Sequence, residues 1–316
     1  MDKVTIDIFP EFGYDMACAM PYAYWLHKHG KLEKVVTCKG MKPFYFFCDN
    51  VEERHTARSV NNNTNGVQNL PNTWIHHNAI AAMGKEYGEL TTEERIQANG
   101  VLDYSQWISP PLKEFYKDSK YKLDKETIVI SNKITMDHGV LPHGYFDIAT
   151  LYEMFNYLTE KGYAIIYKRP KMTEFPNDEN EVLTMSNRHT ISANVEGIGQ
   201  IDDYELTKYY DDVYLIDDLI KEHESYNIGQ LKLFANVDKF ITIAGGNSIF
   251  CSYFGGQQIT YVTTSKELRP GYYDGESYTK KLGGATIYPI IDPETEIIER
   301  GYNNYESLLD KIKEIF

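Results

Sequence analysis

No stretch of this 316-residue chain approaches the ~20 consecutive apolar residues that a membrane-crossing helix needs, so no helical span is expected. Cysteine is scarce. Cys18, Cys38, Cys48 and Cys251 are scattered, with no C-x-x-C and no zinc spacing. Thiols so placed suit small core residues in a reduced, cytoplasmic compartment rather than a disulfide framework. Positive charge is also short: 32 Lys and Arg face 46 Asp and Glu, a net charge of −14. With no basic face or arm to offset it, a nucleic-acid partner is not expected. The turn after the first strand lacks G-x-G-x-x-G, which argues against a nicotinamide dehydrogenase. The acidic pairs Asp202-Asp203, Asp211-Asp212 and Asp217-Asp218 lack the Asp-x-Asp spacing that holds a divalent ion against a diphosphate, and read as solvated turns and caps. His27/His29 and His76/His77 have no carboxylate or Cys at matching spacing, so no metal ligands are assigned.

What is present is an α/β rhythm. Apolar residues make up 42% and charged residues 25%, ordinary globular values, and the length suits two α/β domains, each with its own core. Lys3–Phe9 reads as a strand rather than a signal peptide, followed by the turn Pro10-Glu11-Phe12-Gly13-Tyr14-Asp15 with a capping acid. Met16–His29 is a largely buried helix closed by Gly30. Glu33–Thr37 and Pro43–Cys48 follow as strands. Asn61–Gly66 is a polar surface loop, and Thr91–Asn99 a helix with a capping-box start. Pro110-Pro111 and the charged segment to Lys125 mark a domain junction. Beyond it Thr127–Ser131 is a buried strand ending in the loop Asn132–Gly139, Asp147 caps a helix over Ile148–Lys161, and Ala164–Lys168 is the next strand. A polar loop spans Pro176–Ile201. Val213–Ile216 is a strand ending at Asp217-Asp218, and Tyr226–Asn236 a helix. Ser265–Gly284 is a loop, Ala285–Ile290 a last strand and Tyr305–Phe316 a terminal helix.

The stretch Val237–Gly256 organises the second half. Asp238–Ile243 is a β-branched and aromatic strand, and Ala244-Gly245-Gly246 turns tightly. Asn247 or Ser248 caps a helix over Ile249–Phe254, and Gly255-Gly256 ends it before the strand Gln258–Thr263. Strand, glycine turn, helix and strand form a βαβ unit whose turn lies at the carboxyl edge of the sheet, where phosphates bind.

Two stretches carry a family resemblance. Phe12-Gly13-Tyr14-Asp15 with Met16 and Pro21 is similar to the G-D-x…P signature that opens heptosyltransferase-like enzymes. Ala244-Gly245-Gly246-Asn247-Ser248 with Phe254-Gly255-Gly256 is similar to the donor-diphosphate motif of heptosyltransferase-like and fucosyltransferase-like members. The chain thus resembles the GT-B glycosyltransferases, and Ile130-Ser131-Asn132-Lys133 is similar to a loop in those carried by large DNA viruses of algae. The pattern departs at Tyr14, between glycine and acid, and at Gly-Gly-Asn-Ser, which replaces a D-T-G turn. The resemblance implies two Rossmann-like domains facing a cleft: an acceptor domain over 1–120, a donor domain over 121–300, and a C-terminal helix over 301–316. It also implies sugar transfer from a nucleotide-sugar co-substrate to a glycan or glycoprotein hydroxyl, inverting and without metal or other cofactor.

On that basis Asp15 is the candidate base, with a plain helix cap as its structural alternative. Glu11 and the Asp137-His138 pair stand in reserve. Gly13, Gly245, Gly246, Asn247 and Ser248 are assigned to the donor, with Asn132. Lys133 or Arg169 reaches its diphosphate and Asp217 its ribose or base. A nucleotide-sugar epimerase, using the same cradle without an acceptor, and a non-catalytic carbohydrate-binding or structural protein are the alternatives.

Overall fold

The computed structural model of the protein describes residues 3–56, 58, 70, 104–134, 144–169, 190–197, 199–221, 224–262, 277–291 and 305–316. The Asn61–Gly66 loop, the helix expected over Thr91–Asn99, His76, His77, Asp137 and His138 lie outside them.

The N-terminal half is built on a parallel sheet of β1 (Val4–Asp7), β2 (Leu32–Cys38) and β3 (Val51–His55), in that order. Parallel β1 and β2 need a crossover, and α1 supplies it. This helix runs without a break through Phe12–Tyr14, a π-helical turn Asp15–Ala19 and Met20–Lys28. Pro21 explains the irregular turn. It has no N–H to give, so the carbonyls of Met16 and Ala17, one π-turn and one α-turn back, lose their helical donor. Both are taken by side chains: the Tyr253 hydroxyl donates to Met16 at 2.5 Å and the Trp107 indole to Ala17 at 2.8 Å. The strand expected over Pro43–Cys48 is instead a 3-10 turn, Lys42–Tyr45, with Pro43 at its start and Phe44 and Tyr45 buried. The third strand is the charged run VEERH. It pairs in parallel with β2, and its side chains add ion pairs to Lys34 of β2 (Lys34–Glu52 at 2.5 Å) and to Asp7 of β1 (Arg54–Asp7 at 3.1 Å).

The segment expected as a junction is a strap. After α2 (Leu112–Tyr116), the Lys113 ammonium donates to the Phe254 carbonyl at 2.6 Å and pairs with Asp238. Tyr116 donates to Pro43 O at 2.5 Å, and Asp118 O accepts from Asn236 at 2.9 Å.

The second half alternates strand and helix. β4 (Thr127–Ser131) leads to α3 (Ile148–Glu160), whose cap Asp147 accepts from Thr150 N at 2.8 Å, and then to β5 (Ala164–Lys168). Within the stretch expected as a polar loop, β6 (Ser192–Val195) and β7 (Gly199–Asp202) form an antiparallel hairpin. Then follow α4 (Asp203–Thr207), β8 (Val213–Leu215), α5 (Ile216–Leu219) and α6 (Tyr226–Phe234). β9 (Lys239–Ile243), α7 (Gly246–Ser252), β10 (Gln257–Val262), α8 (Tyr278–Gly283), β11 (Thr286–Ile291) and α9 (Glu306–Ile315) complete the chain.

The six strands pair in parallel in the order β8-β5-β4-β9-β10-β11. Counted from β4 this is the doubly wound order 3-2-1-4-5-6, which reverses direction between β4 and β9. The fold class is therefore α/β, as expected. Burial on both faces accounts for the apolar strands: Ile128 and Ile130 join the core under α3, α4 and α9, while Val129 joins the opposite one. That opposite core is continuous with the N-terminal half, where Phe12 and Phe44 pack on Phe250 of α7. Each such buried ring contributes on the order of 2–3 kcal/mol. None of the four cysteines is in a disulfide, and Cys18, Cys38 and Cys251 are buried. Among the described residues no helix is long and apolar enough to cross a membrane.

Candidate functional site

In a doubly wound sheet, ligands lie beyond the carboxyl ends of the strands where the strand order reverses. Here that point is flanked by Asn132-Lys133 after β4 and Ala244-Gly245-Gly246 after β9. Gly245 holds φ +130°, which side chains rarely adopt, and a Cβ on it would stand 2.6 Å from the Lys133 ammonium. The lysine thus lies against bare backbone. Among the described residues no acid or other acceptor pairs with that ammonium.

Asn132 holds the loop in place. Its Oδ1 accepts from the N–H groups of Lys133 at 2.9 Å and Phe146 at 2.8 Å. Its Nδ2 donates to Phe146 O at 3.0 Å and Tyr167 Oη at 2.9 Å. Four bonds exhaust the amide, so Asn132 positions Lys133 and does not itself offer a ligand group. Arg169 is likewise committed. It is 4% exposed, lies over the Tyr204 ring and forks onto the Asp203 carboxylate through Nε and Nη2. Asp203, which also accepts from Tyr167 at 2.7 Å, is buried rather than the solvated turn residue expected. Burial pushes its pKa up, against the pull of Arg169 and Tyr167. Asp202 beside it is a cap, in a capping box with Glu205. Asp217 opens α5 beyond β8, two strands from β4 or roughly 10 Å at sheet spacing.

Neither Asn247 nor Ser248 caps α7, which starts at Gly246 with Gly245 in the cap position. Ser248 Oγ donates to Gly245 O at 2.9 Å, while Asn247 Oδ1 accepts from Lys168 at 2.6 Å. Lys168 is the residue that reading the sequence missed. It ends β5 fully buried, with its ammonium 5.5 Å from the Phe250 ring centre and 5.9 Å from that of Phe234. Its only sequence signal is a charge closing an apolar strand.

The loop after β1 meets this turn. Gly13 in α1 and Gly246 in α7 touch backbone to backbone: a Cβ on Gly246 would come 3.0 Å from Gly13 N. Asp15 follows, wholly buried inside α1, and it is not a helix cap. Tyr45 donates to its Oδ1, and Arg58 donates to its Oδ2 at 3.1 Å and to Pro10 O at 2.7 Å. Burial raises the Asp15 pKa against the opposing Arg58 charge and the Tyr45 bond. Glu11, half-buried just before α1, is the carboxylate of that loop that reaches the surface.

The structure therefore brings together Gly13, Lys133, Gly245, Gly246 and Asn247. Asn132 supports the group, and Arg169 and Asp15 are held in buried ion pairs. Among the described residues no three His, Cys, Asp or Glu side chains gather as metal ligands would. No family model, curated protein or solved structure matches the chain.

Proposed function

We propose that this protein is a glycosyltransferase of GT-B type that moves a sugar from a nucleoside-diphosphate donor to a glycan hydroxyl, with inversion and without a metal ion. The observation that carries this is the Lys133 ammonium. It lies against the Gly245 turn where the strand order reverses, a buried-edge cation with no anionic partner among the described residues. A diphosphate supplies that partner, and its developing charge as leaving group is what such a cation stabilises. The three-stranded and six-stranded sheets are then the two lobes, with Gly13 and Gly246 among their points of contact.

For the base this reading favours Glu11. Asp15 would first have to lose Tyr45 and Arg58, so it serves to fix the loop that presents Glu11. In the transfer step the acceptor oxygen attacks the anomeric carbon as its proton passes to the Glu11 carboxylate. The bond to the diphosphate oxygen breaks on the far side, leaving the electron pair on that oxygen beside Lys133.

A thermal-shift screen with UDP-, GDP-, ADP-, CMP- and dTDP-sugars tests the proposal. The matching nucleotide should stabilise the fold by ~2.7 kcal/mol at a hundredfold excess over its Kd, and Lys133→Ala should remove most of that shift. Turnover of the donor without an acceptor would turn the assignment toward an epimerase. No shift with any nucleotide would overturn it.

A further inference from the structure

A hollow of about 270 Å³ opens between the start of α3 and strand β6. Ile134 forms part of its wall, directly after Lys133, so consecutive residues of one loop face the glycine turn and this hollow. We infer that the hollow is the site of the nucleobase, so that the donor lies across the loop with its ring beside α3 and its diphosphate at Lys133. This rests on the reading above and adds the ring-binding half of the site.

Size, lining and charge each argue for it. The volume falls just below the ~300–1,000 Å³ of pockets that enclose drug-sized ligands, which suits one ring system with part of its sugar. Tyr145, Ile148 and Ile191 give it apolar walls for a flat ring. The segment that carries Tyr145 and Asp147 is fixed before any ligand arrives: Asn132 binds both backbone groups of Phe146 between them, and the Tyr305 hydroxyl donates to Tyr145 O. Such preorganisation lowers the entropy lost on binding.

Charge sets the orientation. Doubly wound folds commonly seat the phosphate at the start of the helix after the first strand, which here is α3. That place is closed to an anion, because the Asp147 carboxylate lines the hollow and already accepts from Thr150 N. A carboxylate repels phosphate and accepts N–H groups from a ring edge. The diphosphate is thereby left to Lys133, on the β9 side.

Ala149 provides the test, since it lines the hollow yet is exposed on the first turn of α3. Ala149→Trp should fill the space without disturbing the core. Ser192→Trp, from the exposed opposite wall, is the second variant should the first fail to fold. Calorimetric titration would compare inorganic pyrophosphate with UDP, GDP, ADP, CDP and dTDP. In the wild type one nucleotide should bind at least tenfold more tightly than pyrophosphate. A folded tryptophan variant should lose that advantage while binding pyrophosphate unchanged, and Lys133→Ala should weaken both. Undiminished nucleotide binding by the filled variant, with Lys133→Ala still weak, would overturn the base site alone. Binding unaffected by Lys133→Ala, or no binding at all, would overturn the functional reading and this inference with it.

Discussion

Gly13 and Gly246 meet so closely that a Cβ on either would stand 3.0–3.3 Å from the other's backbone. Each glycine lies in the first turn of the helix after a strand, one in each half, and main chain cannot swing aside as a long side chain can. Gly246→Ala, whose Cβ would also come 3.1 Å from Phe12 Cδ1, should therefore cost ~1–3 kcal/mol. Urea unfolding measures this. Gly30→Ala is the control, because nothing lies within 4 Å there and only its φ of +65° resists. Equal losses at both sites would mean that the contact between halves gives way easily.

Tyr253 and Trp107 fill the places left by the missing N–H of Pro21. Tyr253→Phe leaves the Met16 carbonyl unpaired in the interior and should cost ~1–3 kcal/mol. Trp107→Phe loses the bond to Ala17 and some packing. In a Pro21→Ala background the helix regains a donor, so the cost of Tyr253→Phe should shrink. A double-mutant cycle reads that coupling directly.

The parts of the fold that could be read from residues alone are those whose reasons are local. β4, β5 and β9 are β-branched runs buried on both faces, and Asp147 caps α3 by a bond within its own turn. β3 escaped because an edge strand of charged residues has no apolar signature; its reason is the cross-strand pairing of Lys34 and Arg54. Pro43–Cys48 misled because aromatic content imitates a strand where Pro43 starts a 3-10 turn. At the site, the glycine turn and Lys133 were legible. The commitment of Arg169 to Asp203, and of Asp15 to Tyr45 and Arg58, depends on partners 30 to 43 residues away that no local pattern announces.

Asp15 and Asp203 should leave a mark on stability against pH. Burial raises both pKa values, so the fold holds these protons more tightly than the unfolded chain does. Each group then contributes stability that is fully present below the unfolded carboxylate value of ~3.9 and is lost as pH rises through the raised native value. The urea midpoint of the wild type, compared between pH 4 and 7 with that of Asp203→Asn, should show the wild type losing more as pH rises. A difference independent of pH would show that Arg169 cancels the burial of Asp203.

Transfer should survive EDTA. Under the proposed reading, the Lys133 ammonium set against the turn takes the place of a metal ion in neutralising the leaving diphosphate. Activity lost in EDTA and restored by Mn²⁺ would require an acidic ligand set outside the described residues.

Glu11 and Asp15 differ in what their loss should do. Asp15→Asn exchanges the buried carboxylate that Tyr45 and Arg58 bind for an amide with a single acceptor oxygen, which should cost ~1–3 kcal/mol. Glu11→Gln is a near-isosteric change at a half-buried position, so it should cost less stability than Asp15→Asn. Turnover should behave the other way. A base replaced by an amide can accept no proton, so Glu11→Gln should lower kcat by ~10²–10⁴-fold, with nucleotide affinity unchanged because Lys133 lies in the other half. Asp15→Asn, assayed well below its lowered Tm, should retain most of its kcat. Full activity in Glu11→Gln with none in folded Asp15→Asn would return the base to Asp15. Tyr45 and Arg58 would then have to part from it when the acceptor binds.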